Sequence, residues 1–215
     1  MRISLLAASL ALACSGAAAS AAVIANGSFE AAAVNPGGGF VTLTTGSSAI
    51  TGWTVTSGTI DYIGGYWQPQ DGARSIDLAG NAPGAISQTF TTKAGHGYRI
   101  AYWIGRNPDG GDHPRTGFID VGGGQTQFLY SGAGNRTNME WQLETFDFVA
   151  LSSSTTLTFA ADPDTASQFY GPALDNVSIG AIPEPATWAM VILGFGVIGG
   201  ALRRKAVRNT GLHFA

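Results

Sequence analysis

From Phe40 onward the chain alternates apolar with polar or β-branched positions in short runs, with the period of a strand buried on one face. Eleven runs carry it: Phe40 to Thr45, Gly52 to Thr56, Thr59 to Ile63, Ser75 to Leu78, Ala85 to Thr91, Tyr98 to Ile104, Gly117 to Val121, Gln125 to Tyr130, Leu143 to Val149, Thr155 to Ala160 and Leu174 to Ile179. Turn clusters separate them, among them Asp71-Gly72, Ala94-Gly95, Asn107-Pro108-Asp109-Gly110-Gly111 and Gly122-Gly123-Gly124. No interior segment sustains apolar residues at helical spacing. The pattern predicts two packed antiparallel sheets. Tyr98, Ile100, Tyr102 and Ile104 fall on one face of their run, which predicts a central strand.

Both ends break this pattern. Met1-Arg2, the apolar stretch Ile3 to Ala13 and the small residues Ala19-Ser20-Ala21 predict a signal peptide over 1–21, too short in its apolar part to span a bilayer. Cys14, the one cysteine of the chain, lacks a branched residue three positions upstream, which argues against lipidation; cleavage after Ala21 leaves no thiol for a disulfide. At the other end Ala186 to Leu202 is uncharged, a helix of roughly 26 Å at about 1.5 Å per residue against a hydrocarbon core of about 30 Å. Trp188 near its start and Arg203, Arg204, Lys205 and Arg208 after it orient such a span with the main domain outside. Gly196 and Gly200 have the small-xxx-small spacing of helix pairing, within a generally glycine-rich segment. Pro183 and Pro185 give the span a sharp outer boundary.

Pro183-Glu184-Pro185, Trp188-Ala189-Met190, Gly194-Phe195-Gly196 and the basic end, in that order, resemble the PEP-CTERM sorting signal of Gram-negative bacteria. The resemblance implies an exosortase as processing partner. That membrane transpeptidase would remove the tail near Pro183, Glu184 and Pro185 and pass the protein to the cell surface or matrix. The residues Asn209 to Ala215 after the basic cluster depart from that pattern. The expected order is a signal peptide at 1–21, an exported domain at 22–182, a sorting signal at 183–208 (span 186–202, basic stop 203–208) and a short tail at 209–215.

The exported domain has six basic and thirteen acidic residues, a net charge of −7 that the basic tail reduces to −3 over the whole chain. That excludes nucleic acid, which requires a clustered basic footprint. Several words of the domain also resemble a family: Asn26-Gly27-Ser28-Phe29-Glu30, Gly52-Trp53, Asp61-Tyr62-Ile63, Ser75-Ile76-Asp77-Leu78, Pro83-Gly84-Ala85-Ile86-Ser87-Gln88, Asn107-Pro108-Asp109 and Gly171-Pro172-Ala173-Leu174-Asp175-Asn176-Val177-Ser178. They look like the choice-of-anchor C type of bacterial surface protein, which is similar to the DUF642 cell-wall proteins. The resemblance implies a galactose-binding-like jelly roll used for carbohydrate or matrix recognition. The fold class expected is therefore all-β, an antiparallel β-sandwich flanked by a signal peptide and a single C-terminal transmembrane helix.

Flat aromatic rings flanked by polar groups suit a sugar, and Trp53, Tyr62, Tyr66 and Trp67 crowd together with Gln68 and Gln70 beside them. Trp53 and Tyr62 lie within strand-like runs, where core packing competes with ligand contact. Tyr66 and Trp67 fall between strands, so at least one is expected at the surface, while Trp103 and Trp141 read as packing residues. No cofactor is required. Modules similar to this one often carry a structural calcium joining first and last strands, and Glu30 and Asp175 occupy suitable places for it, although hard-oxygen coordination takes six to eight ligands. Asn107, Asp109 and Asp112 could surround an ion, but Asn-Pro-Asp-Gly-Gly is also ordinary turn chemistry. His96 and His113 belong to no metal spacing, and neither a nucleophile elbow nor a phosphate loop is present. The reading is an exported surface or matrix protein that binds or organises polysaccharide, with no catalysis. Its alternatives are a hydrolase using two of the thirteen carboxylates and a structural matrix protein without a defined ligand.

Overall fold

The computed structural model describes residues 22–111, 113–164, 169–183, 192–199 and 203. Eleven strands form two antiparallel sheets. One runs in the order β1 (Phe40–Thr44), β3 (Thr59–Ile63), β4 (Ser75–Asp77), β11 (Pro172–Ala181), β6 (Gly97–Arg106) and β9 (Gln142–Val149). The other runs β2 (Thr54–Ser57), β5 (Ala85–Thr91), β10 (Ser154–Ala161), β7 (Arg115–Val121) and β8 (Gly124–Tyr130). Every run picked out by alternation contains a strand, and in most of them one face is more buried than the other. In β7, for example, buried and half-buried positions alternate throughout. The turn glycines Gly72, Gly95, Gly122 and Gly123 take positive φ, where a Cβ is disfavoured.

The sandwich core lies between the inner faces. Phe29, Trp53, Tyr102 and Phe159 form its aromatic centre, with ring centroids 5.3 Å apart for Phe29 and Trp53 and 4.9 Å for Tyr102 and Phe159. Ile60, Ile76, Ile100, Ile104 and Leu174 are fully enclosed around it, each stabilising the fold by roughly 1.5–3 kcal/mol relative to exposure. In β6 the residues Tyr98, Ile100, Tyr102 and Ile104 do share the buried face, but the strand stands one place from the sheet edge, between β11 and β9, rather than at its centre.

A second small core sits on the outer face of the six-stranded sheet. There Ile63 and Ala173 of the sheet meet Trp67 and Met139, brought in by the segments 64–74 and 131–141. A sheet face is covered by loops only where those loops supply apolar residues of their own, and these do.

The last strand fixes the polarity of the domain. β11 pairs with β6 from Pro172 opposite Arg106 to Ala181 opposite Tyr98, and the Ile182 N–H then donates to Gly97 O at 2.9 Å. Pro183, the first residue of the sorting triplet, follows at once. The tail therefore leaves from the end of β11 opposite to Arg106 and Asn107, about 30 Å away at roughly 3.3 Å per residue. Residues 192–199 are helical with Ile192, Leu193, Phe195, Val197 and Ile198 exposed. Among the described residues no helix is long and apolar enough to cross a membrane. The signal peptide, Cys14, Glu184, Pro185, Trp188 and most of the span expected over 186–202 lie outside the described residues.

Candidate functional site

At the pole opposite the tail, loops 64–74, 107–111, 134–136 and 169–171 surround a half-open cleft of about 410 Å³ on the outer face of the six-stranded sheet. Its floor is Asp61 and Ile63 of β3. Phe40, Tyr66, Phe169 and Tyr170 supply aromatic walls. Phe40 and Phe169 are 47% and 51% exposed, so both bring open aromatic surface to the cleft. The Phe40 and Tyr66 rings meet edge to face at 5.2 Å.

One side of the cleft is a polar clamp. Arg136 donates from Nε to Asp109 Oδ1 at 3.0 Å and from Nη2 to Asp109 Oδ2 at 2.7 Å, while the Tyr66 hydroxyl donates to the same Oδ2 at 2.5 Å. The Arg136 guanidinium carbon lies 4.1 Å from the Tyr66 ring centroid, a cation–π contact. Partial burial pushes the Asp109 carboxyl up, but the hydrogen bonds from Arg136 and Tyr66 and the Arg136 charge outweigh it and hold the group below its ordinary range. The bond to Asp109, then burial, raise the Tyr66 phenol. The clamp is thus an ion pair over a neutral ring.

The loops that carry the clamp are tied down by buried polar groups. Asp77 of β4 is fully enclosed; its Oδ1 accepts from the N–H groups of Ala79 and Gly171 and its Oδ2 from Asn107 Nδ2 at 2.7 Å. Asn107 in turn accepts from Asp109 N, which starts the 3-10 turn Pro108–Gly110. Burial raises the Asp77 carboxyl to about 7 against the pull of these donors, and the neighbouring Asp61 adds to the rise. Behind the cleft the buried Arg106 donates to Gly111 O and Gly134 O, and the buried Arg115 to Gly110 O and His113 O. Two arginines thereby satisfy the carbonyls of both loops that deliver Asp109 and Arg136.

The aromatic residues expected at a ligand site separate. Trp53 and Tyr62 are 1% exposed: the Trp53 indole donates to Asn26 O and the Tyr62 hydroxyl to Phe29 O, so both are core residues. Trp67 is also buried, at 3%, with its indole donating to Ser75 Oγ at 2.8 Å. None of the three offers a ring to a ligand. Of the four, Tyr66 and Trp67 border the cleft, but Trp67 is 3% exposed and only Tyr66 offers it a partly open ring. Trp141 is half-buried against the small core and donates to Gln68 O, and Trp103 is half-buried within β6. Phe40, Asp61, Arg136, Phe169 and Tyr170 escaped the sequence reading because the topology, not sequence proximity, brings them together.

Glu30 and Asp175 do come to one place, where they hold a loop. Glu30 Oε1 accepts from Ala73 N at 2.7 Å and Arg74 N at 2.8 Å; Asp175 Oδ2 accepts from Gln70 N at 2.8 Å and Asp71 N at 3.1 Å. Burial raises the Asp175 carboxyl to about 7 despite these donors and that of Asn176. Three of the four oxygens of this pair, all but Glu30 Oε2, thus accept from backbone N–H groups. Among the described residues no three His, Cys, Asp or Glu side chains converge as metal ligands. The pair does not fit a calcium site as it stands, and its role here is structural. Asn107 and Asp109 likewise serve the turn and the clamp; Asp112 lies outside the described residues.

Residues 22–180 match the model of the family described as protein of unknown function (DUF642). The chain belongs to the DUF642 family. Residues 181–205 match the PEP-CTERM protein-sorting motif, so the DUF642 domain ends where the sorting signal begins. That motif marks an exported, surface-directed protein processed by an exosortase. The DUF642 domain is 38% identical over 146 residues to halomucin of Haloquadratum walsbyi, a match that covers 67% of this chain and 2% of halomucin. The chain thus spans a small fraction of that relative's length. Solved structures similar to it include CBM35 from Paenibacillus barcinonensis, with a TM-score of 0.44, 16% identity and coverage of 66% of this chain and 99% of the other. The CBM22-1 xylan-binding domain of the same organism has a TM-score of 0.44, 15% identity and coverage of 70% and 99%. The sandwich assignment rests on this chain's own strand pairing.

Proposed function

We propose that this DUF642 domain is a polysaccharide-binding module, with the cleft between Phe40, Tyr66 and Phe169 as its binding site. The observation that carries the reading is the cleft itself. Exposed rings stand beside Asp61, Asp109 and Arg136, the combination of flat apolar surface and fixed polar groups that sugars require. Its position supports the same reading. The cleft faces away from the end of β11 where the tail leaves, so a domain held at a surface by its C-terminal side presents the cleft outward. The tail serves as a temporary anchor in the membrane, cut near Pro183, Glu184 and Pro185 before release to the surface or matrix.

The hydrolase alternative needs two carboxyls flanking a glycosidic bond. Asp61 and Asp77 stand directly opposite each other on β3 and β4, but Asp77 is fully enclosed and committed to three donors. It has no access to a substrate, which favours binding without chemistry. The test is a screen of the purified full chain against insoluble and soluble polysaccharides, alongside Tyr66→Ala. Retention on at least one polymer that Tyr66→Ala abolishes, with no reducing ends released, supports the reading. Retention unaffected by Tyr66→Ala would place the binding elsewhere, and release of reducing ends would restore the hydrolase.

A further inference from the structure

We infer that the cleft selects uncharged sugars over uronate-bearing ones, and that Asp61 sets this preference; the inference rests on the cleft being the glycan site. Asp61 is 7% exposed, yet it is a floor residue of the cleft. Its Oδ1 is fixed by a 2.6 Å hydrogen bond from Thr42 Oγ1. Its Oδ2 accepts from no described residue, whereas both oxygens of the enclosed Asp77 are taken. A carboxylate that is nine-tenths buried and keeps one oxygen toward a cavity is poised to accept from a ligand hydroxyl.

The surroundings leave room for the Asp61 carboxylate at the cleft. Gly80 lines the same cleft, where a Cβ would stand 2.9 Å from Asp61 Oδ1 and 3.0 Å from Thr42 Cγ2. Any side chain there would crowd the carboxylate. Across the ladder Asp61 faces Asp77, which is committed to Ala79, Gly171 and Asn107, so the position opposite Asp61 holds no cation. Burial raises the Asp61 carboxyl, with the Thr42 bond opposing it.

The one described cation lining the cleft does not offset this charge for a ligand. Arg136 gives Nε and Nη2 to Asp109, which fills its side-on edge, and Nη2 also donates to the Tyr66 hydroxyl, which engages one of the two nitrogens of its end-on edge. Arg106 and Arg115 are buried and do not line the cleft; Arg106 donates to Gly111 O and Gly134 O, and the Arg115 Nη1 and Nη2 groups donate to backbone carbonyls. An arriving uronate meets repulsion from Asp61 and no two-pronged partner. A neutral sugar meets an acceptor for its hydroxyl and rings for its apolar face.

The experiment is calorimetric titration of the full chain, wild type and Asp61→Asn, with hexamers of β-galactan and polygalacturonate and of β-glucan and polyglucuronate. For a neutral hexamer that binds, the wild type is expected to prefer it to its acidic counterpart by tenfold or more. Asp61→Asn should weaken the neutral hexamer about tenfold and bring the ratio near unity. Added salt should strengthen wild-type uronate binding, because screening relieves a repulsion. Thermal melts establish that Asp61→Asn is folded; if it is not, Thr42→Val, which frees the carboxylate from its fixed orientation, must narrow the ratio in its place. Equal or tighter uronate binding by the wild type, or an unchanged ratio in the folded variant, overturns the inference. Uronate binding as tight as or tighter than that of the neutral hexamer, and abolished by Tyr66→Ala, would keep the cleft and sink the role of Asp61. Absence of binding to all four hexamers overturns the inference, whereas the cleft as a glycan site stands or falls with the polysaccharide screen.

Discussion

The guanidinium of Arg136 lies 4.1 Å from the ring centroid of Tyr66, and both side chains donate to the one carboxylate of Asp109. Three residues from three separate loops thereby form one rigid wall. The wall is exposed, so its contribution is to the shape of the cleft more than to the stability of the sandwich. Asp109→Asn should therefore weaken glycan binding by roughly tenfold, about 1.4 kcal/mol, while leaving the thermal midpoint nearly unmoved. Titration and a melting curve on the same sample check this, and a large loss of stability would show that the clamp holds the fold.

Tyr66 and Trp67 are neighbours in sequence with opposite duties. Trp67→Ala empties the small core under the cleft and strands Ser75 Oγ, so it should cost about 3–5 kcal/mol of stability. Tyr66→Ala should cost much less and remove binding instead. Urea unfolding of the two variants decides the matter, and equal stability losses would contradict the assignment.

Asp77 and Asp175 make stability depend on pH in an unusual direction. Each is raised to about 7 in the folded chain, against about 3.9 unfolded. Between those values the folded state holds protons that the unfolded state has lost, so the contribution is complete below about pH 4 and declines until about pH 7. The limiting slope is about 1.4 kcal/mol per pH unit for each group. Asp109 and Asp147, both lowered, act in the opposite sense but only below their ordinary range. The urea midpoint should fall from pH 5 to pH 8, and Asp77→Asn should flatten that fall. A midpoint that rises over this interval contradicts the account.

Glu30 and Asp175 hold loop 70–74 through four backbone N–H groups. Gly72 has φ +61° and its missing Cβ would run into the Glu30 carboxylate. Gly72→Ala should cost at least about 1–2 kcal/mol, and Glu30→Gln should speed hydrogen exchange at Ala73 and Arg74. Because these oxygens already have N–H partners, EDTA and calcium should leave the melting temperature unchanged. A rise with calcium that Glu30→Gln removes would show a metal site after all.

The strands were legible because most have one face more buried than the other, as in β6, β7 and β10, and a two-residue period survives in sequence whatever the partner strand is. The family words were legible too, and the structure shows what they do. Asn26 clamps Ala31 and Thr51, Gly27 sits against the backbone of Val177, and Glu30 and Asp175 hold the same loop. Their business at those positions is architecture. The cleft was not legible, since Phe40 and Asp61 of two strands and Asp109, Arg136 and Tyr170 of three loops are joined only by the topology, although Asp109 stood out locally in its turn. Nor does alternation say which of two adjacent aromatics in a loop turns inward; that depended on Met139 and Ala173 awaiting Trp67 across the sheet face.

The measurement that reaches the central claim most directly is hydrogen exchange of the full chain with and without a bound polysaccharide, read peptide by peptide. Slowed exchange confined to residues 64–68, 107–111 and 134–137 is the predicted result. Slowed exchange on the outer face of the five-stranded sheet, over 87–91 and 154–158, with those loops unchanged, would contradict it.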